Sequence, residues 1–174
     1  MSIRVYLAPL MLALAAGGCS AATIPNAEPG SSVPAPAPSS ATPTGLTAIQ
    51  ACDLLTPEEV TSLGMRPHGR PESVVGLRRC DWSIPGGDGV STAIDEEGGI
   101  DDFNFADASS VTEATIGRHT AKRAVETSGP GYCGVHFAVG GTASVSVTAL
   151  YLNDTSRACA AADQAAAFVE PKLP

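Results

Sequence analysis

The sequence predicts an α+β domain: an antiparallel sheet with a short N-terminal helix, a C-terminal helix packed on one face, and two disulfides. Three observations predict it. Several segments alternate apolar and polar residues, which is the periodicity of strands. Helix-capping residues precede one segment at each end of this region. Four cysteines are spread through it, namely Cys52, Cys80, Cys133 and Cys159.

Length and charge exclude several classes of protein. The chain has 174 residues, with 10 basic and 18 acidic side chains and a formal net charge of −8. A nucleic-acid binder is not expected, because there is no cationic excess to neutralise phosphates. The length is too short for a large multidomain enzyme. The sustained apolar run, residues 5–16, is too short to span a bilayer.

The N-terminus has the three parts of a secretory signal. Arg4 precedes the apolar run, and two glycines and Cys19 follow it. The run LALAAGGC resembles a bacterial lipobox, in which the cysteine is acylated and becomes the first residue of the mature lipoprotein. We therefore expect a signal peptide over residues 1–18, a lipid with acyl chains such as palmitate on Cys19, and attachment to the outer face of the cytoplasmic membrane. The alternative is a plain secreted protein cleaved near Ala21-Ala22.

Residues 19–47 are expected to be a disordered tether. After Cys19 this stretch holds six prolines and one charged residue, Glu28, without apolar periodicity. Such a composition cannot bury enough apolar surface to offset the entropy of ordering the chain. A single folded domain is therefore expected over residues 48–174.

The cysteine count predicts two disulfides. If Cys19 carries the lipid, four cysteines remain, and an even number in an exported domain indicates disulfides. Three pairings are possible. Cys52–Cys80 and Cys133–Cys159 are favoured, because each joins nearest neighbours in the sequence and each would tie a helix to a strand.

The first helix has a complete start signal. Thr56 is the expected N-cap, Glu59 stands three residues later as in a capping box, and Pro57 occupies the first helical position. The helix is short and should end at Gly64. Capping and solvation explain its carboxylates better than acid–base catalysis does.

A hairpin should follow. In residues 77–84, Cys80, Trp82 and Ile84 point to one face, residues 85–89 have turn composition, and residues 90–94 can return as the second strand. Trp82 stands on the cysteine face and is expected in the core. Stacking on a ligand is the alternative.

An acidic segment comes next. Residues 88–113 contain eight acidic side chains and no basic one. The spacing required of a calcium loop is missing, so a solvated loop is favoured over a calcium site. Phe103 and Phe105 are expected to pin this segment to the core. The sequence leaves open whether they do so as a helix or as a strand.

Two more strand pairs are predicted. Residues 111–116 and 120–126 form one pair, and residues 133–139 and 143–149 form the other. In the second pair, a three-residue loop at residues 140–142 makes the apolar faces agree, whereas a two-residue Gly-Gly turn mixes apolar with polar positions.

The three-residue loop fixes which residues are neighbours across the hairpin. It places Phe137 opposite Val145 and Val135 opposite Val147. His136 then lies on the polar face, and we expect it to face the solvent rather than to act in catalysis.

The last helix is predicted over residues 157–170. Residues 153–156 offer N-caps, and Pro171 should stop the helix. Four residues at helical spacing should face the sheet, namely Cys159, Ala162, Ala166 and Val169.

These features together resemble one protein family. They are the run CDLLTPEEV at residues 52–60, the run CDW at residues 80–82, a cysteine that opens an alternating strand, and a cysteine in a C-terminal Ala-rich helix. With the lipobox and the Pro-rich tether, this order is similar to actinobacterial secreted lipoproteins that carry a domain of unknown function (number 3558). The resemblance covers residues 50–170 and implies a secreted, membrane-tethered domain. It implies no catalytic residue, and the acidic stretch is not part of it.

The sequence nominates no catalytic or metal site. The patterns G-x-S-x-G, S-x-x-K, H-E-x-x-H and the P-loop are absent. A zinc site is the competing interpretation of the cysteines, but they form no C-x₂₋₄-C pair, and His68, His119 and His136 show no ligand spacing. We therefore predict no catalytic residue, no metal and no cofactor.

The function that follows is a non-catalytic binding or accessory domain of the cell envelope. Its expected partners are the membrane, through the lipid, and an envelope protein or a small ligand, but not nucleic acid. One alternative is a small envelope hydrolase with a site built from His119 or His136 and acidic residues. The other is a carrier that holds a small apolar ligand between helix and sheet.

Overall fold

The structure is a computed structural model that describes residues 45–74 and 76–174. The predicted signal peptide, the lipid-attachment residue Cys19 and most of the predicted tether lie outside the described residues. The described residues contain two α-helices, α1 (Pro57–Ser62) and α2 (Thr155–Val169). They contain seven strands, β1 (Arg70–Val74), β2 (Leu77–Ser83), β3 (Gly89–Asp95), β4 (Ser110–Ile116), β5 (His119–Val125), β6 (Tyr132–Val139) and β7 (Ala143–Leu150). Three short 3₁₀ helices cover Gly45–Ala48, Ala51–Leu54 and Glu170–Lys172.

The seven strands form one antiparallel sheet in the order β1-β2-β3-β7-β6-β5-β4. The predicted hairpins are all present. β1 was not predicted, because Arg70–Val74 contains Pro71 and shows no apolar alternation. It is an edge strand, where a proline is tolerated because only one side of the strand pairs.

The predicted register of the last hairpin is confirmed. Phe137 stands opposite Val145 and Val135 opposite Val147, with residues 140–142 as the loop. These four side chains are fully buried. Trp82 is also in the core, as expected, with 2% of its surface exposed.

The capping box of α1 is confirmed. The Glu59 amide donates to Thr56 Oγ1 at 3.3 Å, and the Thr56 amide donates to Glu59 Oε2 at 2.7 Å. Gly64 follows the helix with φ +80°, the left-handed conformation that terminates many helices.

Helix α2 has the cap and the buried face that its sequence predicts. Asp154 is the N-cap and accepts from the amide of Arg157 at 2.9 Å. The helix contacts β6 and β7. Its alanines allow this close approach, since Ala158, Ala162, Ala165 and Ala166 are fully buried.

The four cysteines of the domain are paired as favoured. Cys52 in the Ala51–Leu54 turn is bonded to Cys80 in β2, with 5.0 Å between their Cα atoms. Cys133 in β6 is bonded to Cys159 in α2, with 4.9 Å between their Cα atoms. Each bond therefore fastens a helical segment to the sheet.

The core also includes residues that were predicted to belong to the disordered tether. Gly45–Ala48 forms a helical turn whose Leu46 is 8% exposed. The Arg78 guanidinium donates to the carbonyls of Leu46 and Ile49 and pairs with Glu96. In the part of the chain described, no helix is long and apolar enough to cross a membrane.

Candidate functional site

The sheet face opposite the helices is polar. Cross-strand partners share a face, and on this face Asp81, Ser91, Thr148 and Gly134 follow one another across β2, β3, β7 and β6. His136 lies two residues along β6 from Gly134, on the same face. We call this surface the open face.

Part of the open face is covered by residues 96–109, which connect β3 to β4 without helix or strand. Asp95 Oδ1 accepts from the Gly98 amide at 2.7 Å, and Ser144 Oγ donates to the Gly98 carbonyl at 2.8 Å. The Lys122 ammonium donates to Asp101 Oδ1 at 2.6 Å. The first half of this loop is thus fastened to the sheet at Gly98 and at Asp101.

The two phenylalanines of this loop cover His136. The ring centroid of Phe103 lies 4.3 Å from that of His136, and the ring of Phe105 meets it edge-on at 5.2 Å. The expectation that they pin the loop to the core, as a helix or a strand, is wrong. They lie in irregular backbone and pack on the open face.

His136 is buried, so the prediction that it faces the solvent is wrong. Only 4% of its surface is exposed, although it lies on the polar face as predicted. Alternation identifies the face of a strand residue, but it does not show that a loop from thirty residues upstream covers that face.

Neither ring nitrogen of His136 has a hydrogen-bond partner among the described residues. Burial lowers the pKa of His136 from 6.5 to about 4, because the charged form is desolvated. The imidazole is therefore neutral at pH 7, with one nitrogen able to donate and the other able to accept.

A cleft of about 180 Å³ opens beside this imidazole. We call it the His136 cleft. None of the residues that line it is Asp, Glu, Lys or Arg: they are Phe103, Asn104, Phe105, Thr127, Ser128, Tyr132 and His136.

The far rim of the cleft, residues 126–131, is fixed by the start of α2. Thr155 Oγ1 donates to Glu126 Oε1 at 2.7 Å and accepts from the Gly131 amide at 3.0 Å. Glu126 adopts φ +59°, and its amide donates to the Tyr132 carbonyl at 2.7 Å. The rim is therefore held in one position relative to the first turn of the helix.

A second depression, of about 260 Å³, is also lined by Tyr132. We call it the Arg79 groove. Arg79 Nε donates to Asp81 Oδ1 at 2.7 Å and Arg79 Nη2 donates to Ser91 Oγ at 3.3 Å. Ser91 Oγ lies 2.6 Å from Thr148 Oγ1. Tyr132 lines both the groove and the His136 cleft.

The other buried histidine has a different environment. Nδ1 of His119 lies 2.8 Å from Glu170 Oε1, and Nε2 lies 3.2 Å from the Pro174 carbonyl oxygen. The Arg118 amide, which donates to Glu170 at 2.9 Å, and His119 together lower the pKa of the Glu170 carboxyl. Both nitrogens of His119 are engaged within the protein, so this histidine fastens β5 to the C-terminal segment.

The acidic side chains of the sequence do not converge on a cation site. Asp102 Oδ2 accepts from the Gly99 amide at 2.8 Å, and Asp88 Oδ1 accepts from the Leu152 amide at 3.0 Å. Among the described residues, no group of three or more His, Cys, Asp or Glu side chains is placed to hold a metal ion. Asp102 therefore caps a local turn, and Asp88 joins the turn between β2 and β3 to the segment after β7.

Sequence reasoning missed the cleft, although one signal for it was present. Gly134 stands inside a strand, where a glycine often marks a close approach of other atoms. A Cβ built on Gly134 would lie 2.9 Å from His136 Nε2 and 3.3 Å from Thr148 Cγ2. The missing side chain gives the imidazole its place on the sheet.

One comparison with known proteins identifies a relationship. The family model described as "Protein of unknown function (DUF3558)" matches residues 14–172. No curated protein and no solved structure matches the chain.

Proposed function

Because the chain belongs to the DUF3558 family, whose description names no activity, we propose a function from its own residues. The protein is a non-catalytic binding domain of the cell envelope that takes a small ligand into the His136 cleft. One observation carries this proposal: a buried imidazole with two unpartnered nitrogens stands beside an open cleft.

The energetics of that imidazole favour a ligand. A buried polar group without a partner destabilises a fold by about 1–3 kcal/mol. His136 exposes 4% of its surface, so solvent does not relieve this cost through bulk contact. A ligand with a hydroxyl or an amide would supply the missing hydrogen bonds.

The surroundings of His136 favour binding over hydrolysis. A general base works best when its pKa lies near the working pH, but burial holds the pKa of His136 at about 4. Within the described residues no carboxylate orients its ring and no hydroxyl or thiol is hydrogen-bonded to it. His119 has both nitrogens occupied. The hydrolase built on either histidine is therefore the weaker alternative.

The carrier of an apolar ligand between helix and sheet is also the weaker alternative. The face of α2 toward the sheet is filled by fully buried side chains, among them Ala162, Ala166 and Val169. The His136 cleft lies on the opposite, polar face of the sheet.

The proposal places this domain at the outer face of the cytoplasmic membrane. The lipobox-like run and Cys19 support a lipid anchor, and residues 19–44 would span between ~28 Å as a coil and ~80 Å as an extended chain. Two disulfides fit an oxidising compartment.

The binding proposal is tested by observing the His136 ring directly. We would label the imidazole nitrogens of the mature protein with ¹⁵N and titrate a library of small uncharged compounds that carry hydroxyl or amide groups. Compounds that bind in the cleft should shift both ring-nitrogen resonances of His136 and leave those of His68, which is exposed, in place.

A variant that removes the hydrogen-bonding groups of residue 136 supplies the control. His136→Phe keeps an aromatic ring against Phe103 and Phe105 but offers no hydrogen bond, and it should abolish binding while circular dichroism remains that of the wild type. If no compound shifts the His136 resonances, or if binding survives in His136→Phe, the proposal is wrong.

A further inference from the structure

We propose, on the basis of the binding function above, that the ligand is an uncharged oligosaccharide. One sugar ring occupies the His136 cleft, and the chain continues past Tyr132 into the Arg79 groove. The lining chemistry of the cleft, the lack of Asp, Glu, Lys and Arg among its lining residues, and a second depression that shares Tyr132 with it support this assignment.

The lining chemistry matches a sugar ring. A pyranose presents an apolar face of C–H groups and a rim of hydroxyls. The cleft presents the rings of Phe103, Phe105 and Tyr132 for the apolar face, and the Asn104 amide and His136 imidazole for the hydroxyls. Apolar walls with a few placed polar groups are the usual composition of a site that fixes the orientation of its ligand.

The hydrogen-bonding state of the polar groups in the cleft also favours a ligand with hydroxyls. Asn104 Oδ1 accepts from the Ala106 amide at 3.0 Å, which orients the side-chain amide. His136 offers one donor and one acceptor in its neutral form. A hydroxyl can donate and accept at the same time, and it is therefore the ligand group that best satisfies both nitrogens.

The absence of charge excludes other ligand classes. None of the residues that line the His136 cleft is Asp, Glu, Lys or Arg, and the ammonium of Lys122, 5.8 Å from the centroid of the Phe105 ring, is already paired with Asp101. A phosphate, a carboxylate or an ammonium group placed there would lose its hydration without gaining a partner of opposite charge, which is strongly unfavourable. Nucleotides, anionic headgroups and amino acids are thus poor occupants.

The volumes set the length of the ligand. The His136 cleft of about 180 Å³ is roughly six times the ~30 Å³ of one water in the liquid. That is room for one sugar ring and not for two. The Arg79 groove adds about 260 Å³ beyond Tyr132, which is room for a further ring.

The groove suits the next sugar unit. Arg79 and Asp81 form an ion pair at 2.7 Å, and Arg70, which also lines the groove, is paired with Glu72 at 2.9 Å, so none of these charges demands a charged ligand. Together with Ser91 and Thr148, Arg79 and Asp81 present donors and acceptors side by side across the strands β2, β3 and β7. Adjacent hydroxyls of a sugar need this alternation.

The test compares monosaccharides with oligosaccharides on the mature protein. Isothermal titration would use uncharged mono-, di- and trisaccharides with gluco, manno, galacto, arabino and N-acetylglucosamine configurations. At least one trisaccharide should bind about tenfold tighter than its monosaccharide. His136→Phe should abolish both interactions.

The variant Arg79→Met tests the contribution of the Arg79 groove separately from that of the His136 cleft. It should reduce the affinity ratio of trisaccharide to monosaccharide to about one. The matched control Arg66→Gln, at an exposed arginine outside the groove, should leave that ratio unchanged. A ratio that Arg79→Met does not alter would overturn the extension into the groove.

The outcomes separate this inference from the binding function on which it rests. If small compounds shift the His136 resonances but no saccharide binds, the oligosaccharide assignment is wrong and the binding function stands. If only a peptide or an acyl-chain probe binds, the oligosaccharide assignment is likewise wrong and the binding function stands. If saccharides bind equally well to His136→Phe, the cleft is not the site and both proposals fall.

Discussion

Acidification from pH 7 to pH 4 should destabilise the domain through His136. The imidazole titrates near pH 6.5 in the unfolded chain, whereas burial lowers its pKa to about 4 in the folded protein. Since each tenfold change in proton affinity is worth 1.36 kcal/mol, the difference corresponds to about 3 kcal/mol of unfolding free energy. This is a large part of the stability of a typical small domain.

The sign and the range follow from proton counting. Above pH 6.5 neither state binds a proton at His136, so its contribution is constant. Between pH 6.5 and about 4 the unfolded chain binds a proton that the folded protein does not bind, and stability falls with the pH. Below pH 4 both states bind it and the loss ends. Glu170, whose pKa is lowered in the folded protein, acts in a different range, because its contribution is lost only below its unfolded value of 4.5.

Urea denaturation at several pH values between 7.5 and 4.5 measures the effect. Trp82 is the only tryptophan and is 2% exposed, so its fluorescence reports unfolding. The wild type and the control His68→Gln should lose stability in parallel over this range, whereas His136→Phe should lose much less. Equal slopes for His136→Phe and wild type would refute the reasoning. So would a native-state NMR titration that places the pKa of His136 near 6.5.

Three further predictions concern other parts of the molecule. Cys133→Ser should lower the unfolding free energy by ~2–5 kcal/mol in guanidinium denaturation, because it removes one disulfide. The intact mass of the wild-type domain should lack four hydrogens relative to the reduced chain. A thiol of the domain that reacts with a label would contradict the two disulfides. Thr56→Ala should lose ~1 kcal/mol because it breaks the capping box, and Thr56→Ser should be close to wild type. Cys19→Ala should move the protein from the membrane fraction to the soluble fraction; a membrane-bound variant would argue against the lipid anchor.

Features encoded by near neighbours in the sequence could be predicted. The capping box depends on Thr56 and Glu59, three residues apart, and the last hairpin depends on two alternating runs joined by one short loop. In each case one short stretch contains nearly all the interacting groups, so its pattern determines the local geometry.

Features that depend on distant segments could not be predicted. β1 has no apolar face and exists because β2 offers it a hydrogen-bonding edge. The burial of His136 depends on Phe103, which reaches the open face only because Lys122 and Ser144 fasten the connecting loop. The candidate site is a meeting of a loop, a strand and a turn, and no single window of the sequence contains it.

The attachment of the N-terminal turn has a mechanical consequence. Tension applied to the chain from the N-terminal side first acts on the hydrogen bonds that Arg78 donates to the carbonyls of Leu46 and Ile49. Once those contacts yield, the load reaches the covalent bond from Cys52 to Cys80 in β2. β2 is neither the first nor the last strand of the sheet, so tension transmitted through this bond enters the sheet at an inner strand and not at its edge.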